Sequence, residues 1–153
     1  MRKMKSLFAM LGLMAVFSCA TAADRGSADD AVALVKKGIS LMQKSGKDNL
    51  IQEVNGKNPQ VLDRDLYLSV WDLKANVLAH GANARMVGKD IIDLKDADGK
   101  AFMKEIVTKA ASSNSGWVDY KWVDPISKEI QPKSAYFEKV NDTIVSSGYY
   151  KAK

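Results

Sequence analysis

Gly116-Trp117-Val118-Asp119-Tyr120-Lys121-Trp122-Val123-Asp124-Pro125, followed shortly by Pro132-Lys133-Ser134-Ala135-Tyr136, places two Trp, two Tyr and two Lys within about twenty residues. The alternation reads as two strands joined by a turn. In the first strand Val118, Tyr120 and Trp122 share one face, while Trp117, Asp119 and Lys121 share the other. Aromatic walls around a cation suit a small anionic organic molecule: the rings supply apolar surface and the ammonium supplies the counter-charge. The plainer alternative makes Tyr120 and Trp122 core residues whose polar tips bond to backbone, with Lys133 an exposed lysine. Lys133 follows Pro132 directly and precedes Tyr136, so its ammonium can point at whatever the rings enclose, and composition alone leaves the two readings of this lysine open.

A third strand, about Thr143–Tyr150, completes a meander. Upstream, Leu66, Leu68 and Val70 alternate with Tyr67, Ser69 and Trp71, and Val77 and Ala79 alternate with Leu78 and His80. A turn near Asp72–Asn76 joins these two strands into a hairpin. Before them, Ser27 caps a helix with acids in its first turn. Its apolar stripe, Ala28, Ala31, Val32, Val35, Ile39 and Met42, runs to about Lys44. A short helical piece, Asp48–Val54, follows, and a third helical face runs through Phe102, Met103, Ile106, Val107 and Ala110. The order is helix, helix, hairpin, long connection with a helix, then a three-strand meander. It predicts an α+β domain, an antiparallel sheet of about five strands with helices on one side.

The N-terminus reads as a leader rather than as part of this domain. Met1-Arg2-Lys3-Met4-Lys5 is positively charged, Leu7–Phe17 is an apolar run, and Ala20-Thr21-Ala22 offers small residues for cleavage before Ala23 or Asp24. That run is too short to span a bilayer as a helix, which needs about 20 residues. The expected organisation is a signal peptide at 1–22, a linker at 23–27 and one domain at 28–151. Cys19 is the sole cysteine, so no intramolecular disulfide forms. The rival reading makes Val16-Phe17-Ser18-Cys19 a lipobox and the protein a lipoprotein anchored through Cys19. Formal charge is +5 for all 153 residues, and three of the basic residues lie in the leader. No long basic stripe remains, so nucleic acid is not an expected partner.

Chemistry beyond the aromatic strands is sparse. His80 is the single histidine, without a second histidine or a retained cysteine to build a metal site. It is expected to share a strand face with Leu78. Asp96-Ala97-Asp98-Gly99 resembles part of a calcium loop, but Leu94 stands where an acid or Asn is needed, and Asp98 is expected to cap the next helix. No nucleophile elbow and no serine–histidine pairing is evident, so neither catalytic residues nor a cofactor is predicted.

Six stretches in order resemble the single Cache domain, an extracellular PAS-like sensor family, in its second subtype. They are Asp65-Leu66-Tyr67-Leu68-Ser69-Val70-Trp71-Asp72, Val77-Leu78-Ala79-His80-Gly81, Leu94-Lys95-Asp96-Ala97-Asp98-Gly99-Lys100, Gly116 to Trp122, Pro132-Lys133 with Tyr136, and Gly148-Tyr149-Tyr150. The resemblance implies a long N-terminal helix packed on an antiparallel PAS-like sheet whose pocket binds small molecules such as short carboxylates. It implies that Tyr120 and Trp122 line the pocket, that Lys133 offers charge and Tyr136 a hydroxyl, and that His80 lies at or just behind the rim. The family often has Pro where Gly81 stands and Gly where Ala75 or Asn76 turns the hairpin, differences of turn chemistry. Members commonly sit between two membrane helices, which this sequence does not carry. The expected form is a free-standing periplasmic module, not an enzyme, that binds a small organic anion or amino acid and acts with a membrane-bound receptor or kinase. The competing expectation is a structural or partner-binding module whose pocket is filled by its own side chains.

Overall fold

Residues 24–151 are described by a computed structural model. The expected leader, Cys19 and the cleavage position at Ala23 lie outside the described residues. Helix α1 (Ala28–Ser45) is followed by α2 (Lys47–Asn55), then short strands β1 (Leu62–Asp63) and β2 (Leu66–Tyr67) and the hairpin β3 (Ser69–Asp72) and β4 (Val77–His80). After a long connection come α3 (Phe102–Ser112) and the meander β5 (Ser115–Val123), β6 (Ile130–Val140) and β7 (Thr143–Tyr150). The five-stranded sheet is antiparallel throughout, in the order β4-β3-β7-β6-β5. The last strand is therefore central, flanked by the first hairpin and the meander. Among the described residues no helix is long and apolar enough to cross a membrane.

Ser27 and Asp30 form a reciprocal capping box at the start of α1, and Gly46 ends it at φ +91°. The face α1 buries is Ala31, Leu34, Val35, Gly38, Ile39 and Met42, which is rotated from the expected stripe. Leu34 and Gly38 take the place of Ala28 and Val32, and at Gly38 the helix backbone lies directly against Leu68. A Cβ there would stand 2.6 Å from Leu68 Cδ1. This face packs on Leu68, Val70, Ala79 and Val145.

The expectation of helices on one side only does not hold. Val118, Tyr120, Ala135, Phe137 and Ile144 form an apolar stripe on the reverse of the sheet, and Phe102, Met103, Ile106 and Ala110 of α3 cover it. The sheet is thus buried on both faces. The three-strand meander is long enough to carry two apolar faces, and each needs its own cover.

Strand β5 is an edge, and side chains close its free groups. Lys109 Nζ donates to the Trp117 carbonyl, Lys100 Nζ donates to the Asp119 carbonyl, and the Lys121 N–H donates to Asp96 Oδ2. Capped edges of this kind do not recruit another strand. Asp96 also accepts the N–H groups of Asp98 and Lys100 through Oδ1, both at 2.9 Å. The residue that organises the Asp96–Gly99 turn is therefore Asp96. Asp98 does not cap α3: the N-cap position is Ala101 with no side-chain bond, and Asp98 pairs with Lys121 at 2.9 Å.

His80 does not share a face with Leu78 either. The pairing of β3 with β4 slips between Val70 and Trp71, so Val77 opposes Trp71 while Ala79 opposes Val70. Leu78 is the extra residue of a bulge, and beyond it the alternation is shifted by one. His80 consequently turns to the α3 side, opposite Ser69.

Asp96→Ala is expected to lower stability by about 1–3 kcal/mol, because it strands three N–H groups and opens the β5 edge. Asp98→Ala removes an exposed ion pair and is expected to change stability by less than about 0.5 kcal/mol. Urea denaturation of both variants measures the difference, and equal losses would mean that Asp96 does not organise the turn.

Candidate functional site

Register brings the site together. Lys133 of β6 is opposite Tyr120 of β5 on one side and Tyr150 of β7 on the other. All three side chains rise from the α3 face of the sheet. Gly148 makes room for the lysine stem: a Cβ at that position would lie 2.8 Å from Lys133 Cε and 2.6 Å from the Ser134 carbonyl oxygen. The Lys133 side chain is buried, at 3 % exposure for the residue.

Its ammonium donates to the Tyr67 hydroxyl at 2.8 Å and lies 4.1 Å and 5.0 Å from the ring centroids of Tyr67 and Tyr150. Both rings meet it as cation–π partners. Among the described residues no carboxylate forms an ion pair with it. Burial pushes the Lys133 ammonium down to about 7, against a smaller upward pull from Asp65 and Asp124. Those two buried carboxylates are already engaged by Arg25, at 3.2 Å and 2.5 Å, and by backbone N–H groups of Gly26, Ile126 and Ser127. The ammonium is therefore packed on a phenol oxygen and two ring faces. The Tyr67 and Tyr150 hydroxyls are 3.4 Å apart, and Tyr150 donates to the Val123 carbonyl at 2.7 Å. A polar relay thus runs from the lysine to the end of β5, next to Asp124 and Arg25.

Beside this cation lies a small cavity lined by Tyr67, Ser69, Trp71, His80, Met86, Ile91, Phe102, Tyr120 and Trp122. Its volume is about 20 Å³, room for about one water. Phe102 stacks on Tyr120 with centroids 4.2 Å apart, and Trp122 meets Phe102 edge-on at 5.4 Å. Met86, Ile91 and Trp122 form a wall between this cavity and an outer groove of about 400 Å³, which also touches Lys89, Asp90, Ile92, Asp93 and Leu94.

The polar groups of the cavity are mainly donors. His80 Nδ1 accepts the N–H groups of Ala82 and Asn83 at 3.3 Å and 3.1 Å, which leaves the proton on Nε2. Burial, aided by the nearby Lys133 charge, holds the His80 imidazole down to about 4, so it is neutral at ordinary pH. The Trp71 indole N–H is buried and has no acceptor among the described residues. Burial raises the Tyr67 and Tyr120 phenols well above the usual range, so both keep their protons.

Of the five residues read from sequence, Lys133, Tyr120, Trp122 and His80 converge on one side of the sheet. Tyr136 does not. It lies on the α1 face, its ring against Trp117 at 5.2 Å and its hydroxyl donating to Glu138 Oε1 at 2.7 Å. The physical reason is parity: residues 133 and 136 are an odd number apart on one strand and face opposite ways. Tyr67, Trp71 and Tyr150 were missed. The pairing of β7 with β3 and β6 brings Tyr67 and Tyr150 to the lysine, and Gly148-Tyr149-Tyr150 was the available signal.

The Single Cache domain 2 family model matches residues 10–152. A methyl-accepting chemotaxis protein of Pseudomonas putida, McpP, is 32 % identical over 90 residues, or 58 % of this chain. The chain covers 16 % of that protein's length. Among solved structures, a methyl-accepting chemotaxis protein from Vibrio parahaemolyticus superposes with a TM-score of 0.70 at 20 % identity, covering 80 % of this chain and 86 % of the other. A Cache chemosensory domain solved for its carboxylic acid recognition gives 0.65 at 24 % identity, covering 81 % and 88 %. A periplasmic sensor domain of a chemotaxis protein gives 0.64 at 24 % identity, covering 81 % and 90 %. At these identities the likeness to the solved structures is one of fold.

An unpaired buried ammonium costs stability, and the sign is testable. The ordinary lysine value of 10.5 is lowered to about 7 in the fold. Between those values the unfolded chain holds a proton that the folded chain lacks, so stability rises with pH through this window and the cost is complete below it. Lys133→Met is expected to stabilise the ligand-free protein by roughly 1–4 kcal/mol at pH 6 and to shrink that gain as pH rises towards 10. Thermal denaturation of both proteins across this range measures it. A destabilised Lys133→Met at pH 6 would show the ammonium to be a net structural contact.

Proposed function

We propose that this chain, which belongs to the Single Cache domain 2 family, senses a small organic anion, a short carboxylate or an amino acid, at Lys133. The observation that carries this reading is a buried ammonium packed on Tyr67, with no counter-ion among the described residues, and a cavity on the other side of the Tyr67 and Tyr120 rings whose lining offers the Trp71 indole N–H and the donor Nε2 of His80. A carboxylate in this place neutralises the lysine and offers acceptors to both donors. Burying it there unpaired is prohibitive, whereas charge-assisted bonds to a cation offset its desolvation. The cavity accepts about one water as it stands, so ligand uptake requires Trp122 and the Met86–Ile91 wall to move outward into the adjoining groove. The chain is exported by its N-terminal leader, and occupancy is passed to a membrane-bound receptor or kinase. No catalytic step is assigned.

A second reading rests on the same small volume: the pocket is filled by its own side chains, and the domain is a structural or partner-binding module. A screen of two- to four-carbon carboxylates and amino acids by thermal shift separates the two. A ligand at about 100 times its Kd adds about 2.7 kcal/mol, a shift of roughly 5–10 °C for a domain of this size. If no acid shifts the melt after the protein has been unfolded and refolded to strip bound ligand, the filled-pocket reading stands.

For any acid that binds, Lys133→Met is expected to cost roughly 2–5 kcal/mol of affinity. Lys121→Met, whose ammonium lies on the other face paired with Asp98, leaves affinity nearly unchanged. Affinity is also expected to fall by up to about tenfold per pH unit above the Lys133 value of about 7, because the anion binds the protonated lysine. Calorimetric titration of the wild type at several pH values and of both variants tests this. Equal losses in the two variants would point to long-range charge rather than a contact.

A further inference from the structure

The inner cavity and the outer groove differ in chemistry as well as in size. Trp71 and His80, with their indole and imidazole N–H donors, line the inner space of about 20 Å³. Met86, Ile91, Ile92, Leu94 and Trp122 line the outer one of about 400 Å³. Met86, Ile91 and Trp122 belong to both linings, so the two spaces share one wall. We propose, on the reading of Lys133 as the partner of a carboxylate, that the two spaces are one site for an amphiphilic monocarboxylic acid of about six to eight carbons, its head directed inward to Lys133 and its hydrocarbon tail lying along the groove.

Volume sets the direction. A carboxylate head carries more atoms than a space for about one water holds. Whatever follows the head must pass the shared wall, and beyond the wall lies the groove. Of the three wall residues Ile91 is fixed: it is buried, and its N–H donates to the Ala75 carbonyl at 3.1 Å. Met86 is half-buried, with an unbranched and adaptable side chain, and Trp122 is half-buried on the edge strand β5. Rotation of these two side chains opens a passage while the backbone around Ile91 stays in place.

The groove is built before any ligand arrives. The Val77 N–H donates to the Lys89 carbonyl at 2.9 Å and the Gly88 N–H to the Val77 carbonyl at 2.8 Å, which fasten this segment to β4. Further along, the Leu94 N–H donates to the Ile91 carbonyl and the Ile92 N–H to Asp90 Oδ1, both at 3.0 Å. Backbone groups engaged in this way leave apolar side chains as the surface on offer. The acids at the rim are engaged too, Asp90 by that N–H and Asp93 by Lys104 at 2.6 Å. A preformed apolar trough suits a hydrocarbon tail, which gains from buried area and asks for no hydrogen bonds. The gradient from donors inside to aliphatic groups outside is the one an amphiphilic anion presents in reverse.

The test is calorimetric titration of the exported protein with acetate, butanoate, hexanoate and octanoate. Affinity is expected to rise at least about tenfold from butanoate to octanoate, about twofold for each half-buried methylene. Ile92→Ser/Leu94→Ser, which alters the outer groove alone, is expected to remove most of that rise and to leave butanoate affinity within about twofold. Melting curves establish that this variant is folded, and the chain-length series on the unaltered protein stands without it. Lys133→Met is expected to weaken octanoate at least about thirtyfold, as one partner of a buried pair is lost. Equal affinity for butanoate and octanoate overturns the tail site and leaves carboxylate sensing at Lys133 in place. Octanoate that binds Lys133→Met as tightly as the wild type also overturns it, because the groove would then take hydrocarbon independently of the lysine. If no acid of any length binds, the tail site and the carboxylate reading fall together.

Discussion

An ammonium buried with no counter-ion among the described residues constrains the reverse face of this sheet. Lys133 rises from β6 between Tyr120 of β5 and Tyr150 of β7, and Gly148 opposes no side chain to its stem. Tyr67 supplies a hydrogen-bond acceptor, and two rings supply their electron-rich faces. Such surroundings are less favourable to a cation than water, which is why the lysine loses its proton so readily. Packing alone would be better served by an apolar residue. On the function proposed above, keeping the charge there trades stability for the capacity to bind.

The surrounding polar groups keep that charge from collapsing into the structure. Asp65 and Asp124 are near enough to be felt by the lysine, yet each is committed elsewhere: to Arg25 and to backbone N–H groups. Arg25 precedes α1, Asp65 precedes β2 and Asp124 follows β5. One guanidinium therefore ties three distant parts of the sequence around the approach to the cation. The relay through Tyr67 and Tyr150 to the Val123 carbonyl ends beside the same tie. The buried cation and the beginning of the folded chain share one hydrogen-bonded neighbourhood.

The strands of period two and the capped first helix were legible because each is set by local chemistry: Ser27 with the acids of the first turn, and the alternation through Val118, Tyr120 and Trp122. The same alternation also contained the answer for Tyr136, since parity places it away from Lys133. What could not be read locally is whatever depends on which strands meet. The central position of β7 brings Tyr150 to the lysine's side and carries β3 with its neighbour Tyr67 to the same place. Neither pairing leaves a trace in sequence spacing. His80 was misplaced for a related reason: the bulge at Leu78 is a property of the β3–β4 pair, and one extra residue reverses every later side chain. The Asp96–Gly99 turn misled through a choice between two equivalent acids. Only the backbone path shows that Asp96 reaches three N–H groups.

The way β5 is closed has a practical corollary. Its outer carbonyls are satisfied by the amines of Lys100 and Lys109 rather than by another strand or a proline. The seal is therefore chemical and removable. Amine-directed labelling, surface coupling or aldehyde fixation converts these ammoniums into neutral or bulky groups that no longer reach the strand. The exposed edge would then offer a pairing template to neighbouring molecules. Dyes and supports attached through lysine would thus alter the colloidal behaviour of this protein as well as its charge, whereas attachment through a thiol placed on an exposed helix position leaves the seal intact.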